Sequence, residues 1–186
     1  DLPIYLATLG PNSLEYTGEV ANGWLGTSFS PDHPEAHLSF IESGALKNGR
    51  TLRDIDLCVS ARVEIGDDLD AMIDKRRAAV AFNMGGMGSA DTNFYNDAFK
   101  RAGYAEEASI IQALWLAGKR DEAAKRVPDA MITEFQLLGP KDQVKSRIQR
   151  YKEAGVTTLK LGLDGAGPLG RGRFELLEEI VDLVTE

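Results

Sequence analysis

A short turn near the start of the chain combines residue types that can hold an anion. It reads Ala7-Thr8-Leu9-Gly10 and is followed by Pro11, which suits the first turn of a helix. Gly10 allows the backbone to approach a ligand closely, and the N–H groups at a helix start attract phosphate. An ordinary strand-to-helix turn has the same pattern, and the pattern alone favours that simpler interpretation.

Two hydroxyl side chains, Thr27 and Ser28, follow the next short apolar stretch, Gly23 to Gly26. Each hydroxyl can donate a hydrogen bond to an anionic oxygen.

The two histidines of the chain raise the question of a metal site. His33 and His37 have a spacing that suits metal ligands on a helix, but Pro34 disfavours the helical conformation at His33. Cys58 is the only cysteine, so no cysteine cluster supports a metal. We predict no metal site. His37 could donate a proton, although a solvent-exposed helix histidine is the simpler expectation.

Two stretches alternate apolar and polar residues and therefore predict strands. Residues 55–65, IDLCVSARVEI, place an apolar residue at every odd position, and residues 156–164, VTTLKLGLD, repeat the pattern. Strands separated by helices should pair in parallel, and an open parallel sheet would be apolar on both faces. Alternation instead favours a closed barrel, whose interior holds polar groups near its mouth.

Charged residues on the inner face of these strands are candidates for contact with a substrate. We expect Arg62 and Asp164 to line a substrate pocket, and Lys160 shares their face. Arg62 and Lys160 could contact an anionic substrate or a cofactor tail. The alternative, which we favour, is that they pair with Glu64, Asp56 or Asp164, because a buried charge needs a partner.

The segment between those two strands is mostly helical and longer than one crossover helix requires. We interpret residues 83–138 as a helical insertion on the barrel domain, which spans residues 1–186. Counting strands gives four, near residues 3, 23, 55 and 156, whereas a parallel (β/α)8 barrel needs eight. Helices are expected at about 35–47, before the Asn48-Gly49 stop, and at about 172–185, where the pattern is amphipathic.

Composition narrows the classes of function. The net charge of −8 argues against nucleic-acid binding, which depends on clustered basic residues. No stretch approaches the roughly 20 apolar residues that cross a bilayer, and the start of the chain lacks a secretion signal. A single cysteine suits a reducing compartment, so we expect a cytoplasmic protein with no membrane partner and a small-molecule substrate.

Several stretches together resemble one enzyme family across nearly the whole chain. They are PIYLATLGPNSLEYTGEVANGWLGTSFSP, NMGGMGSADTNFYNDAFKRAGY, RDEAAKRVPDAMI, LLGPKDQV and YKEAGVTTLKL. In order and spacing they are similar to the second half of the luciferase-like flavin and deazaflavin oxidoreductases. The branch that uses coenzyme F-420, including methylenetetrahydromethanopterin reductase-like members, is the nearest in pattern.

The resemblance implies an α/β fold in which this chain forms strands five to eight of a (β/α)8 TIM barrel, with a helical insertion after strand seven. It implies that Ala7, Thr8, Leu9 and Gly10 on the first loop, and Thr27 and Ser28 on the second, hold the cofactor phosphate. With the resemblance added, we prefer cofactor binding to an ordinary strand-to-helix turn as the interpretation of residues 7–10. Ser30 stands where sugar-phosphate-specific members carry lysine, which counts against a sugar phosphate substrate.

Three functions follow from the resemblance. The first is an F-420-dependent oxidoreductase that transfers hydride between the deazaflavin and a small organic substrate. The second is an FMN-dependent monooxygenase on the same barrel, and the third is a non-catalytic half-barrel that serves binding or assembly. The catalytic proton donor is not identified, since candidates are expected in the half that precedes this sequence. A homodimer or association with that other half is expected.

Overall fold

The computed structural model describes residues 2–163 and 171–185 and shows an α/β fold around a parallel sheet. The strands are β1 (Tyr5–Leu6), β2 (Gly23–Gly26), β3 (Asp56–Ile65), β4 (Leu137–Gly139) and β5 (Thr158–Leu163). The helices are α1 (Pro11–Val20), α2 (Glu35–Lys47), α3 (Leu69–Gly86), α4 (Phe94–Phe99), α5 (Ala105–Leu116), α6 (Arg120–Lys125), α7 (Ala130–Thr133), α8 (Lys141–Glu153) and α9 (Arg171–Thr185).

Strand β3 is the centre of the five-stranded sheet. It pairs in parallel with β2 near its start, with β4 near its end and with β5 over most of its length. Val63 is in register with both Leu137 and Leu163, so β4 and β5 lie on opposite edges of β3. Strand β1 pairs only with β2 among the described strands.

The alternation predicted for residues 55–65 is confirmed. Leu57, Val59, Ala61 and Val63 are buried in a core against the helices, whereas Ser60 and Arg62 are exposed on the other face. The sheet is therefore covered by helices on one side, and its other side carries the polar side chains that could reach a ligand.

The count of four strands predicted from the sequence is wrong, because the sheet contains a fifth strand, β4. Its three residues, Leu137–Gly139, are fully covered and pair with the end of β3. A three-residue apolar run carries too little alternation to predict a strand, and pairing with Val63 and its neighbours decides its conformation. Gly139, at φ 114°, then leads to Pro140, the residue that precedes α8.

Glycine allows α1 and α2 to pack backbone against backbone. A Cβ on Gly18 would lie 1.8 Å from the carbonyl oxygen of Ile41, and one on Gly44 would lie 1.7 Å from that of Glu15. The α2 bounds, Glu35–Lys47, agree with the helix expected from the sequence. This close contact fixes α1, and with it the turn that precedes α1.

The helical segment after α3 shares a core with α3 and is tied to the sheet layer by Arg147. The buried side chains of this core include those of Met84, Phe99 and Ile111. From α8, Arg147 donates a hydrogen bond to the carboxylate of Asp32 at 2.5 Å and another to the carbonyl of Glu134. The contact joins the loop after β2, helix α8 and the end of the helical segment.

One carboxylate gathers the starts of three strands. Asp56, at the beginning of β3, accepts hydrogen bonds from the Tyr5 hydroxyl at 2.8 Å, from the Thr157 hydroxyl and from the Thr158 hydroxyl at 3.1 Å. The Thr157 bond foremost, together with those from Tyr5 and Thr158, holds the pKa of Asp56 below its usual value. These side-chain hydrogen bonds therefore hold together the end of the sheet at which β1, β3 and β5 begin.

Hydropathy adds one observation about the helices. None of those in the described ranges combines the length and apolar character that a bilayer crossing requires.

Candidate functional site

We call residues Ala7–Gly10 the anion turn; it joins β1 to α1. All three carbonyl groups from Thr8 to Gly10 accept hydrogen bonds. The Trp24 indole N–H donates to Thr8 at 3.0 Å, Arg101 donates to Leu9 at 2.9 Å, and the Ser13 hydroxyl donates to Gly10 at 2.9 Å. Because these acceptors are occupied by donors of the chain itself, carbonyl repulsion of an anion at the turn is reduced.

The anion turn and Thr27 line one cleft, whereas Ser28 does not line it. This turn cleft has a volume of about 420 Å³ and lies where β1 and β2 end. Its walls are formed by Ala7, Thr8, Leu9, Gly10, Ser13, Leu25, Thr27, Met87, Phe94 and Tyr95. One wall carries hydroxyls and backbone, while the opposite wall is apolar and comes from the helical segment. The arrangement can hold a polar, phosphorylated chain against an apolar surface.

The Thr8 hydroxyl is already engaged within the protein. It shares a 2.7 Å hydrogen bond with the hydroxyl of Thr17, which in turn donates to the carbonyl of Ser13. Thr8 therefore contributes to the turn chiefly by fastening it to α1.

Ser28 has an unusual backbone conformation. Its φ of 51° lies in the left-handed region, which residues other than glycine, asparagine and aspartate seldom adopt. Such conformations cost about 1–3 kcal/mol and concentrate at ligand-binding positions. Together with Thr27 it lines a second cavity, so the loop after β2 separates two neighbouring spaces.

The second space, the strand-end cavity, has a volume of about 460 Å³ and lies over the open face of β3 and β5. Thr27, Ser28, Ser60, Arg62 and Lys160 supply polar groups, and Val80, Phe99, Met131 and Phe135 supply an apolar wall. Ser60 is in register with Lys160, and Arg62 is in register with Gly162. The cavity thus has a cationic side and an apolar side.

Glu64 and Asp56, two of the acids expected to pair with Arg62 and Lys160, have well-defined contacts. Glu64 binds Arg76 of α3 at 2.7 Å and Lys75 at 3.3 Å, and Asp56 is engaged as described above. Burial alone raises the pKa of Glu64, but its hydrogen bonds and charge interactions with Arg76 and Lys75 hold that pKa below its usual value. The predicted pocket residue Asp164 lies outside the described residues.

The expectation of a solvent-exposed His37 is wrong. The side chain is fully buried, with its ring centroid 5.4 Å from that of Trp24 and 5.9 Å from that of Phe29. Burial, with a smaller contribution from Arg101, lowers its pKa to about 3. A neutral imidazole in this setting is core and a poor proton donor. Among the described residues, no cluster of three or more potential ligands could bind a metal ion.

Sequence reasoning missed two residues that lie against the anion turn. Phe94 places ring atoms about 3.1 Å from where a Cβ of Gly10 would be, and Arg101 reaches the carbonyl of Leu9 from 92 positions along the chain. Both follow GGMGSAD in the helical segment. Only their occurrence in a stretch that resembles the family, NFYNDAFKRAGY, could have drawn attention to them.

Comparison with known proteins gives consistent results. The sequence profile described as luciferase-like monooxygenase matches residues 1–158. A coenzyme F-420-dependent oxidoreductase of Mycobacterium tuberculosis is 32% identical over 161 residues, which are 86% of this chain and 46% of that protein. The 5,10-methylenetetrahydromethanopterin reductase of Methanopyrus kandleri is 31% identical over 179 residues, covering 96% of this chain and 48% of the reductase.

Comparison with solved structures also finds F-420-dependent enzymes. The coenzyme F-420-dependent tetrahydromethanopterin reductase from Methanopyrus kandleri superimposes with a TM-score of 0.67 at 32% identity, covering 90% of this chain and 46% of that one. An F-420-dependent secondary alcohol dehydrogenase gives a TM-score of 0.68 at 16% identity, covering 99% and 49%, and shows likeness of fold alone. The chain spans about half the length of the curated relatives it matches.

Proposed function

Because the chain belongs to the luciferase-like monooxygenase family, we propose that it is part of an oxidoreductase that uses coenzyme F-420. When bound, the deazaflavin gives or accepts a hydride at C5, and the residues of this chain bind and orient it. The relatives named as F-420-dependent, at about one-third identity, support this cofactor.

The observation that carries the proposal is the shared cleft of the anion turn and Thr27. In the proposal, Ala7, Thr8, Leu9 and Gly10, with Thr27 and Ser28, hold the cofactor phosphate and the start of its tail. The carbonyls of the turn are occupied, and α1 begins directly after Gly10, so the local field favours an anion.

The strand-end cavity is proposed to take the small organic substrate. Its cationic side, Arg62 and Lys160, favours a substrate with an anionic group, and Phe99 and Phe135 give the apolar surface that a carbon skeleton needs. Since Thr27 lines both spaces, a cofactor tail held in the turn cleft would bring the redox ring beside this cavity. Asp164 completes the proposed set of pocket residues.

We propose further that β1, β2, β3 and β5 are strands five to eight of a (β/α)8 barrel, with residues 83–138 as its helical insertion. The consecutive parallel pairing of these strands supports the idea, as does the polar face that they turn away from the helices. Leu2 and Ile4, which precede the edge strand β1, are 87% and 60% exposed. Exposed apolar side chains at this edge are consistent with an edge that further strands or a partner chain would cover.

The alternatives receive less support. None of the relatives reported above is named for FMN, so the FMN-dependent monooxygenase is not favoured. A non-catalytic half-barrel remains the alternative of a different class, and it predicts no cofactor binding at the turn.

Fluorescence titration of the full-length protein with coenzyme F-420, and separately with FMN, tests the proposal. We expect binding of F-420 in preference to FMN, and Thr27→Val should weaken F-420 binding about tenfold through the lost hydrogen bond to the anion. Ser43→Ala, an exposed change on α2, is the control and should bind normally. Tight binding of FMN with no response to F-420 would overturn the assignment.

A further inference from the structure

Arg101 connects the helical segment to the anion turn. It lies between α4 and α5, where the chain kinks at Gly103 (φ 94°). Its Nε donates to the carbonyl of Ala36 on α2 at 2.9 Å, and its Nη2 donates to the carbonyl of Leu9 at 2.9 Å. The guanidinium carbon also lies 5.7 Å from the centre of the Phe40 ring. One side chain thus bridges three separate parts of the fold.

The bond to Leu9 has a particular consequence for an anion site. Leu9 is the middle member of the three consecutive carbonyls that are held by donors, and it is the one held from the helical segment. A carbonyl released at this position could rotate toward the cleft and place a partial negative charge beside a bound phosphate. Arg101 also brings a formal positive charge to the back of the turn.

We propose that Arg101 is a positioning residue for phosphate binding at the anion turn, which it serves by fixing the carbonyl of Leu9 away from the ligand. The proposal rests on the proposed function and extends it, because it makes the helical segment a necessary part of the cofactor site. Arg101 itself need not touch the phosphate. Its effect passes through the backbone of the turn.

The geometry of the guanidinium is what the role requires. Arginine donates through separate nitrogens in a fixed plane, whereas lysine offers one flexible ammonium group. Arg101→Lys keeps the charge but cannot hold the carbonyls of Leu9 and Ala36 in the same way. The substitution therefore separates positioning of the turn from simple electrostatic attraction.

The chain offers a matched control in Arg77 of α3. Its Nη1 donates to the carbonyl of Val127 at 2.5 Å, and its Nη2 binds Asp129 at 2.6 Å. Like Arg101, it fastens a distant backbone carbonyl, but that carbonyl belongs to Val127 in the helical segment and not to the anion turn. Arg77→Lys reports the effect of loosening that segment without touching the turn.

Two ligands distinguish positioning from general damage. Coenzyme F-420 carries the phosphate tail, and the deazaflavin riboside without that tail does not. In the full-length protein, Arg101→Lys should raise the Kd for F-420 about tenfold and leave the Kd for the riboside unchanged. Arg77→Lys should change neither. Equal weakening of both ligands, or normal F-420 binding in Arg101→Lys, would refute the proposal.

Hydrogen exchange measured by mass spectrometry tests the positioning independently of the cofactor. Arg101→Lys should accelerate exchange in peptides that cover residues 5–14, whereas Arg77→Lys should leave those peptides unchanged. Unchanged exchange in Arg101→Lys would overturn the role of Arg101 even if F-420 binds. Faster exchange in Arg101→Lys, together with a wild-type protein that does not bind F-420, would instead locate the failure in the proposed function.

Discussion

The side chain of Arg62 lies directly over Gly162, its register partner on the neighbouring strand. A Cβ placed on Gly162 would be 2.9 Å from Cδ of Arg62 and 3.2 Å from its Nε. The absence of a side chain at Gly162 therefore sets the position of the guanidinium that lines the strand-end cavity.

The first prediction concerns this pair. Gly162→Ala should push Arg62 away from its position and raise the KM for an anionic substrate about tenfold, with little change in the Kd for F-420. Steady-state kinetics of the full-length protein measures the KM, and fluorescence titration measures the Kd. Arg62→Gln should produce a similar loss, and the double variant should lose no more than either single one, because both changes remove the same contact. Additive losses would contradict this account.

The second prediction concerns the contact of α1 with α2. Gly44→Ala should lower the free energy of unfolding by several kcal/mol, because the added methyl would meet the carbonyl oxygen of Glu15 and the helices would have to separate. Urea unfolding followed by circular dichroism measures the change. Ser43→Ala, one residue away on the exposed face, should be nearly neutral. A Gly44→Ala protein as stable as wild type would show that the two helices pack less closely.

The third prediction concerns pH and His37. Its pKa in the folded state is lowered to about 3, below the unfolded value near 6.5, so only the unfolded chain gains a proton between those values. The stability supplied by the neutral imidazole is complete above about pH 6.5 and falls as the pH drops toward 3, by up to about 1.4 kcal/mol per pH unit.

The matching variant is His37→Phe, which should flatten that slope, because it removes the titrating ring and both buried nitrogens that lack a hydrogen-bond partner among the described residues. Urea midpoints measured at several pH values test the slope. Ser43→Ala, an exposed change on α2 that removes no titrating group, is the control and should keep the wild-type dependence. An unchanged slope in His37→Phe would assign the acid sensitivity to other groups.

The fourth prediction concerns the ion pair between Glu64 and Arg76. Glu64→Gln should destabilise the protein by about 3 kcal/mol, because the guanidinium of Arg76 is 6% exposed and its ion pair with Glu64 would be lost. Chemical denaturation at pH 7 gives the value. Glu122→Gln, which breaks the exposed pair with Lys119, should cost less than about 1 kcal/mol. Similar losses in both variants would mean that burial has no influence on the Glu64 pair.

The sequence correctly predicted the helices and strands whose signals lie within one short stretch of the chain. The alternating strand β3 agrees with expectation because its period of two is strong over ten residues. The helix at Glu35–Lys47 agrees because turn residues precede it and Asn48-Gly49 follows it. The meeting of the anion turn with Thr27 is implied by the resemblance to the enzyme family and not by a local pattern.

Features that depend on distant parts of the chain could not be predicted in this way. His37 is buried because Trp24 and Phe29, from the strand and loop before α2, enclose it. Arg101 finds Leu9 and Ala36 only after the helical segment has packed on the sheet layer. Strand β4 exists because Val63 and its neighbours offer it an edge. Each outcome follows from tertiary packing that overrides a weak local signal.

The cluster around Asp56 has a consequence for how this sequence can vary. It fastens the starts of β1, β3 and β5, whereas both proposed ligand spaces lie toward the opposite ends of the strands. Mutations at one end should therefore alter how much folded protein a cell accumulates, and mutations at the other should alter what that protein recognises. Such a separation would let new specificities evolve while the foundation of the fold stays unchanged.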